Sequence, residues 1–220
     1  MIDTVIFDMD GVLINSEPVY FQVERELFRS LDLDISNVQH NTFVGMAMTD
    51  IWEIIKSEKE INYSVEELVG FHKKAIHDYF IQAENLVTIP GVKVLIEYFK
   101  NKNFKLGVAS STDTKLVKII LEKLGIIDFF ENVTGGDEVK YGKPSPDVFL
   151  LAAKKLDSSP GKCLVWEDSK NGVESAKKAG MKVIGFLNEG SGNQDLSHAD
   201  WVIDSFENLD YKKLTNLCFN

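Results

Sequence analysis

The sequence predicts an α/β protein: a parallel sheet covered by helices on both faces, interrupted once by an all-helical insert. Three observations carry this. Apolar runs of strand length recur at 4–7, 105–109, 132–136, 163–166, 182–186 and 200–203. Helical patterns separate the later runs, and regular alternation of strand and helix is the mark of parallel strands buried on both faces. Residues 17–85, by contrast, carry helical patterns only.

Taken in order, "TVIF" (4–7) is the first strand and ends in "DMDG". Helices are expected at 18–31, about 47–57, and 64–83, where Ser64 and Glu67 stand at capping-box spacing. The chain returns to the sheet near "TIPGVKVL" (88–95). A helix over 91–103 places apolar residues at 92, 95, 96 and 99, one face at helical period. "KLGVA" (105–109) is the next strand. The helix over 114–125 has apolar residues at 116, 117, 120, 121 and 124 and ends at Gly125, a C-cap glycine. "NVTGG" (132–136) is a weaker strand. The helix over 145–156 opens with Ser145 at the N-cap and Pro146 at the first helical position. "CLVW" (163–166), a helix over 171–180, "KVIGF" (182–186) and "DWVI" (200–203) complete the series. The expected organisation is a Rossmann-like α/β core from residues 1–15 and 88–220, with a helical second domain at 16–87.

The chain has 220 residues, 44% hydrophobic and 26% charged, with a formal net charge of -10 and a pI near 4.9. An acidic surface argues against nucleic-acid or anionic-membrane partners. A phosphorylated substrate would need a locally positive site, made by a metal ion or a few chosen lysines. Of the two cysteines, Cys163 lies in an apolar run and reads as core, while Cys218, near the end, reads as exposed. Neither has zinc-site or disulfide spacing. No apolar run approaches membrane-spanning length, and "MIDTVIFD" lacks the features of a leader. A cytoplasmic monomer is the expectation.

Asp8 and Asp10 raise the chemical question, because buried like charges are costly unless offset. At i and i+2 on an extended chain their side chains share a direction, and Gly11 permits a sharp turn. In open α/β sheets ligands bind beyond the carboxyl ends of the strands. Ser110 in "VASST", Lys143 in "YGKPSPD", and Glu167 and Asp168 in "LVWEDSKNG" occupy positions that could converge there. Two unit charges about 4 Å apart interact by about 4 kcal/mol at an effective dielectric near 20, so four unneutralised carboxylates are implausible. Oxygen ligands beside phosphate suit Mg²⁺. The expected roles are Asp8 as nucleophile, Asp10 as acid and base, Ser110 as a phosphoryl hydrogen-bond donor, and Lys143 as the bridge from Asp8 to the phosphoryl group. Glu167 and Asp168 would hold the metal together with Asp8. Ser110, Ser111 and Thr112 also suit a helix cap, and Glu167 and Asp168 also suit a helix N-terminus. The four histidines show no ligand spacing. Trp52, Phe71 and Tyr79 read as core of the helical domain.

Together, "DMDGVL", "ASS", "GKPSPD" and "EDSKNG" resemble the four motifs of the haloacid dehalogenase-like superfamily, in order along the chain. The insert is similar to the small α-helical cap of the β-phosphoglucomutase and phosphatase subgroup. The resemblance implies an Mg²⁺-dependent phosphatase of a small phosphorylated metabolite, a sugar phosphate by the layout, acting through an aspartyl phosphate. It implies that the main-chain carbonyl of Asp10 also binds Mg²⁺, and that Ser110, Ser111, Lys143 and Met48 contact substrate. The alternative is a phosphomutase using the same intermediate. Against the mutase, Tyr20 stands where the mutase has a histidine and Met48 where the mutase has a phosphate-gripping arginine. Dehalogenases lack the second aspartate, which is present here as Asp10. A receiver domain would be about half this length without the insert, and no G-x-G-x-x-G supports a dinucleotide enzyme.

Overall fold

The structure is a computed structural model in which residues 1–43 and 46–219 are described. The chain divides into two compact units, Met1–Asn15 with Glu84–Asn220, and Ser16–Ala83.

The first unit is built on six strands in the order β3-β2-β1-β4-β5-β6, every neighbouring pair parallel. They are β1 (Thr4–Phe7), β2 (Lys105–Ala109), β3 (Asn132–Thr134), β4 (Cys163–Glu167), β5 (Lys182–Phe186) and β6 (Trp201–Ile203). All residues of β1 and β4 are buried, as a central parallel strand requires. β1 lies between β2 and β4, so the strand order reverses beside it and opens a ligand crevice at the carboxyl ends. The register aligns Phe7 with both Val108 and Trp166. Asp8, one residue on, therefore stands level with the ends of both neighbouring strands.

Helices α5 (Val92–Asn101), α6 (Thr114–Lys123), α7 (Asp147–Lys155), α8 (Lys170–Lys178) and α9 (Tyr211–Phe219) belong to this unit. Val148, Phe149, Ala152 and Ala153 of α7 and Val173 and Ala176 of α8 pack with Ile6, Val165 and Val183 of the sheet in one buried cluster. Phe7 stacks on Trp166 at 6.3 Å between ring centroids and meets Phe99 of α5 edge-on at 6.5 Å, the offset and T-shaped contacts that aromatic rings favour.

The second unit holds α1 (Glu17–Ser30), α2 (Asn37–Asn41), α3 (Met48–Glu58) and α4 (Val65–Gln82). Ser64 caps α4, accepting from Glu67 N while the Glu67 carboxylate accepts from Ser64 N, the expected capping box. Phe28, Trp52, Ile55 and Leu68 form its dry centre.

Four expectations are corrected. Cys218 is 2% exposed, because α9, which the sequence reading did not foresee, turns it inward with Leu214. Phe71 is on the surface at 37% exposure, packed edge-on against Tyr63, whereas Trp52 is fully buried. The helix expected from Ser145 begins at Asp147 with Pro146 at the N-cap, and Ser145 Oγ donates to the Asp147 carboxylate instead. "NVTGG" is strand only to Thr134; Gly136–Glu138 form a 3₁₀ turn. No described helix is long and apolar enough to cross a membrane.

Candidate active site

Asp8 leaves the end of β1 with its amide donating to Trp166 O, which fixes it beside the end of β4. Its side chain is 7% exposed. Lys143, from the loop before α7, donates to Asp8 Oδ1 at 2.6 Å and to Glu167 Oε2 at 2.8 Å. The Lys143 side chain is 7% exposed and its ammonium lies 4.8 Å from the centre of the Phe149 ring. Burial pushes the ammonium toward neutrality, but the carboxylates of Asp8 and Glu167 outweigh it and hold the lysine firmly protonated.

Glu167 is the last residue of β4 and is 1% exposed. Its Oε1 accepts from Asp168 N, Ser169 N and Ser169 Oγ at 3.2, 3.0 and 2.8 Å, while Oε2 is taken by Lys143. Both oxygens are thus engaged, which charge-assisted donors do best. The first turn of α8 closes directly over this carboxylate. A Cβ on Gly172 would stand 1.9 Å from Glu167 Cδ, so glycine is what lets the helix approach. Asp168, 5% exposed, receives a hydrogen bond from Ser191 Oγ.

Oxygens of Asp8, Glu167 and Asp168 all lie within 4.8 Å of one another. Burial raises the pKa of Asp8 well above the carboxylate range; Glu167 and Asp10 add to the rise and Lys143 opposes it. Burial likewise raises Asp168, with Glu167 and Asp8 adding and Ser191 and Lys143 opposing. Three buried carboxylates against one lysine make a strongly anionic pocket. Such all-oxygen donor sets suit a hard divalent cation, and the residues present fit Mg²⁺.

The side chain of Asp10 takes a different direction. Its Oδ2 accepts from Thr112 Oγ1 at 3.1 Å and Ser110 Oγ at 3.4 Å, and Thr112 N donates to Ser110 Oγ at 3.0 Å. The Asp8–Glu167–Asp168 group therefore does not include the Asp10 carboxylate. Between the two aspartates and the next turn, Gly11 adopts φ +76°, a left-handed conformation open to glycine. Its N donates to Ile14 O.

Asp8, Asp10, Ser110, Lys143, Glu167 and Asp168 thus come together within the first unit. Ser111 is exposed on the loop after β2. Met48 is the first residue of α3 in the second unit and is partly buried; its neighbour Met46 packs on the core of that unit. Sequence reasoning missed Ser191 altogether and left Thr112 either as a structural residue or as one that supports the site, and its bond to Asp10 is of the second kind. Thr112 carried a signal, its place two residues after Ser110; Ser191 carried none.

Residues 5–186 match the family model for haloacid dehalogenase-like hydrolases. The chain is 36% identical over 194 residues to a phosphorylated carbohydrates phosphatase of Thermotoga maritima, covering 86% of this chain and 88% of the relative. It is 31% identical over 210 residues to a β-phosphoglucomutase of Bacillus subtilis, covering 93% and 90%. The crystal structure of a β-phosphoglucomutase from Clostridium difficile superimposes with a TM-score of 0.79 at 26% identity, covering 98% of this chain and 96% of that one. Family match, relatives and fold agree, and the chain belongs to the haloacid dehalogenase-like hydrolases, a family of enzymes.

Proposed function

We propose that the protein is an Mg²⁺-dependent phosphatase of a small phosphorylated metabolite, a sugar phosphate by analogy with its relatives, acting through an aspartyl phosphate on Asp8. The observation that carries this is Lys143 bridging buried Asp8 and Glu167, with Asp168 beside them. Asp8, Glu167 and Asp168 would hold the metal with the main-chain carbonyl of Asp10. Glu167 would also balance Lys143, which takes one lone pair of Oε2. When bound, Mg²⁺ supplies the positive charge that lets a phosphate dianion approach this pocket.

One oxygen of Asp8 attacks phosphorus as the bond to the substrate's alkoxy oxygen breaks. Asp10 delivers a proton to that leaving oxygen. Asp10 then takes a proton from water, which attacks phosphorus and breaks the bond to Asp8, releasing inorganic phosphate. The Thr112 hydroxyl holds the Asp10 carboxylate for both transfers, which leaves the single proton of Ser110 Oγ for a phosphoryl oxygen, and Lys143 offsets the charge spread over the phosphoryl oxygens. Ser110 and Ser111 are assigned to the phosphoryl oxygens and Met48 to the substrate. Two free cysteines suit the reducing cytoplasm.

The test is a panel of sugar phosphates, nucleotides and small phosphorylated acids assayed with Mg²⁺. Steady release of phosphate from a subset is expected, abolished by EDTA and by Asp8→Asn. Isomerised sugar phosphate with little free phosphate would assign the mutase reaction instead. Tyr20 favours hydrolysis: its ring packs edge-on against Phe80 at 6.1 Å within the helical unit and carries no charge for a second phosphate.

A further inference from the structure

Asp168, in the turn from β4 into α8, is held by a loop that the four motifs do not include. After β5 the chain makes a 3₁₀ turn, Glu189–Ser191. Ser191, 6% exposed, donates from Oγ to Asp168 Oδ2. The turn is braced on three sides. Asn188 Nδ2 donates to Gly11 O at 3.1 Å, and Asn188 Oδ1 accepts from Gly190 N at 2.9 Å. Gln194 Nε2 donates to Ser191 O at 2.9 Å, while Gln194 Oε1 accepts from Lys170 N at the start of α8 at 3.0 Å. The hydroxyl is therefore presented by a fixed backbone tied to both the Asp8–Gly11 turn and α8.

The same carboxylate is pressed against Gly11. A Cβ there would lie 1.9 Å from Asp168 Oδ2 and 2.9 Å from Ser191 Oγ. Asp168 thus sits in a slot, the Gly11 backbone on one side and the Ser191 hydroxyl closing it. A buried anion with two like charges within 4.8 Å would otherwise swing away from them. Fixing one oxygen fixes the plane of the group and so the direction of the other.

We propose that Ser191 is a positioning residue that aims Asp168 into the cation site, so that Mg²⁺ affinity depends on a hydroxyl that does not touch the metal. This rests on the metal-dependent reading above. Partners that orient metal ligands affect affinity by about 10–100-fold when removed, and at 6% exposure water is a poor substitute for the lost donor.

The experiment is calorimetric titration of MgCl₂ into metal-free full-length protein: wild type, Asp168→Asn, Ser191→Ala and Ser191→Thr, with melting temperatures in EDTA. Wild type should bind one Mg²⁺ and Asp168→Asn should not. Ser191→Ala should raise Kd about 10-fold and, because it leaves a buried carboxylate without its donor, lower the melting temperature in EDTA by a few degrees, whereas Ser191→Thr, which keeps the hydroxyl, should stay within about threefold in Kd. The Mg²⁺-induced rise in melting temperature should shrink in Ser191→Ala in step with Kd. If wild type bound no Mg²⁺, or Asp168→Asn bound it equally, the metal-dependent reading would fail and take this inference with it. If those two behave as expected and Ser191→Ala binds as tightly as wild type, the positioning role alone is overturned. Equal loss in Ala and Thr variants, with the melting temperature lowered in both, would assign Ser191 to loop packing and also overturn it.

Discussion

Asp8 and Lys143 show at the scale of single residues how function works against stability. Three buried carboxylates, those of Asp8, Glu167 and Asp168, share one ammonium group, and Asp10 lies near enough to Asp8 to act on its charge. Burial, reinforced by Glu167 and Asp10 against the pull of Lys143, raises the folded-state pKa of Asp8. A raised carboxyl pKa means that ionising Asp8 destabilises the fold at every pH above its unfolded value, while below that value the penalty is absent. Without metal, Asp8→Asn should therefore melt higher than wild type by a few degrees at pH 7–8, at about 2–4 °C per kcal/mol for a chain of this size. The gain should vanish near pH 4, as thermal melts across pH in EDTA would register. Lys143→Met should do the reverse, since it leaves the carboxylates uncompensated, and breaking a buried pair from one side costs about 3–5 kcal/mol. The two variants would lose phosphate release alike while moving stability in opposite directions, a pattern that separates a charge role from a packing role.

At the scale of elements, α8 makes a sharper case. Alanine normally stabilises a helix by about 1 kcal/mol over glycine. At Gly172 the sign should invert, because the added Cβ would meet the Glu167 carboxylate at 1.9 Å. That carboxylate is the end of a side chain and could move, but only by giving up its bonds to Lys143, Ser169 and the Asp168 amide. Gly172→Ala should thus lower the melting temperature, with an overpacking cost of about 1–3 kcal/mol, and reduce kcat. A melting temperature equal to or above wild type would show that Glu167 is free to shift. The glycine itself was legible in "EDSKNG"; its reason was not, because that depends on how closely α8 approaches β4. Local signals did well where one element decides the outcome. "TVIF" and "KLGVA" are strands at the expected residues, and Ser64 and Glu67 cap α4 as their spacing implies. Local signals were misread in α9, where Leu214 and Cys218 have helical spacing and Asp210 accepts from the amides of Lys212 and Lys213. Lys212 and Lys213 before them and the polar pair Thr215 and Asn216 between them masked the pattern. The Ser191–Asp168 contact spans twenty-three positions, and "NEGSG" by itself reads as an ordinary turn.

Across the whole molecule, the two units rest on different kinds of core. The first buries a six-stranded sheet between apolar layers. The second is a small helical unit, Ser16–Ala83, and small units bury a smaller fraction of their surface and are marginal. It also carries a polar group in its interior. Glu24 of α1 meets His40 of α2, Nε2 to Oε2 at 2.6 Å, and lies 3.0 Å from His72 Nε2 of α4, an ion-pair contact poorly aligned for a hydrogen bond. Both histidines are 1% exposed, and Phe21 stacks on His40 at 4.0 Å. The sequence reading found no pattern in these histidines because the partners lie on three separate helices. Burial opposes ionisation of Glu24, but contacts from His72 and His40 outweigh it and hold its pKa below the ordinary carboxylate value. A depressed folded-state pKa means stability that is fully present above the unfolded value, near 4.5, and lost as pH falls through the folded one. The helical unit should accordingly open before the sheet on acidification. Hydrogen exchange compared at pH 7 and pH 4 should show protection falling first in α1, α2 and α4, with β1 and β4 still protected. Glu24→Gln should destabilise at pH 7 by about 1.5–3 kcal/mol, the range for a hydrogen bond to a charged group. Its deficit against wild type should shrink as pH falls through and below the carboxylate range, where wild type loses the same contribution. A deficit that held constant across that range would mean that Glu24 acts through shape and not through its charge.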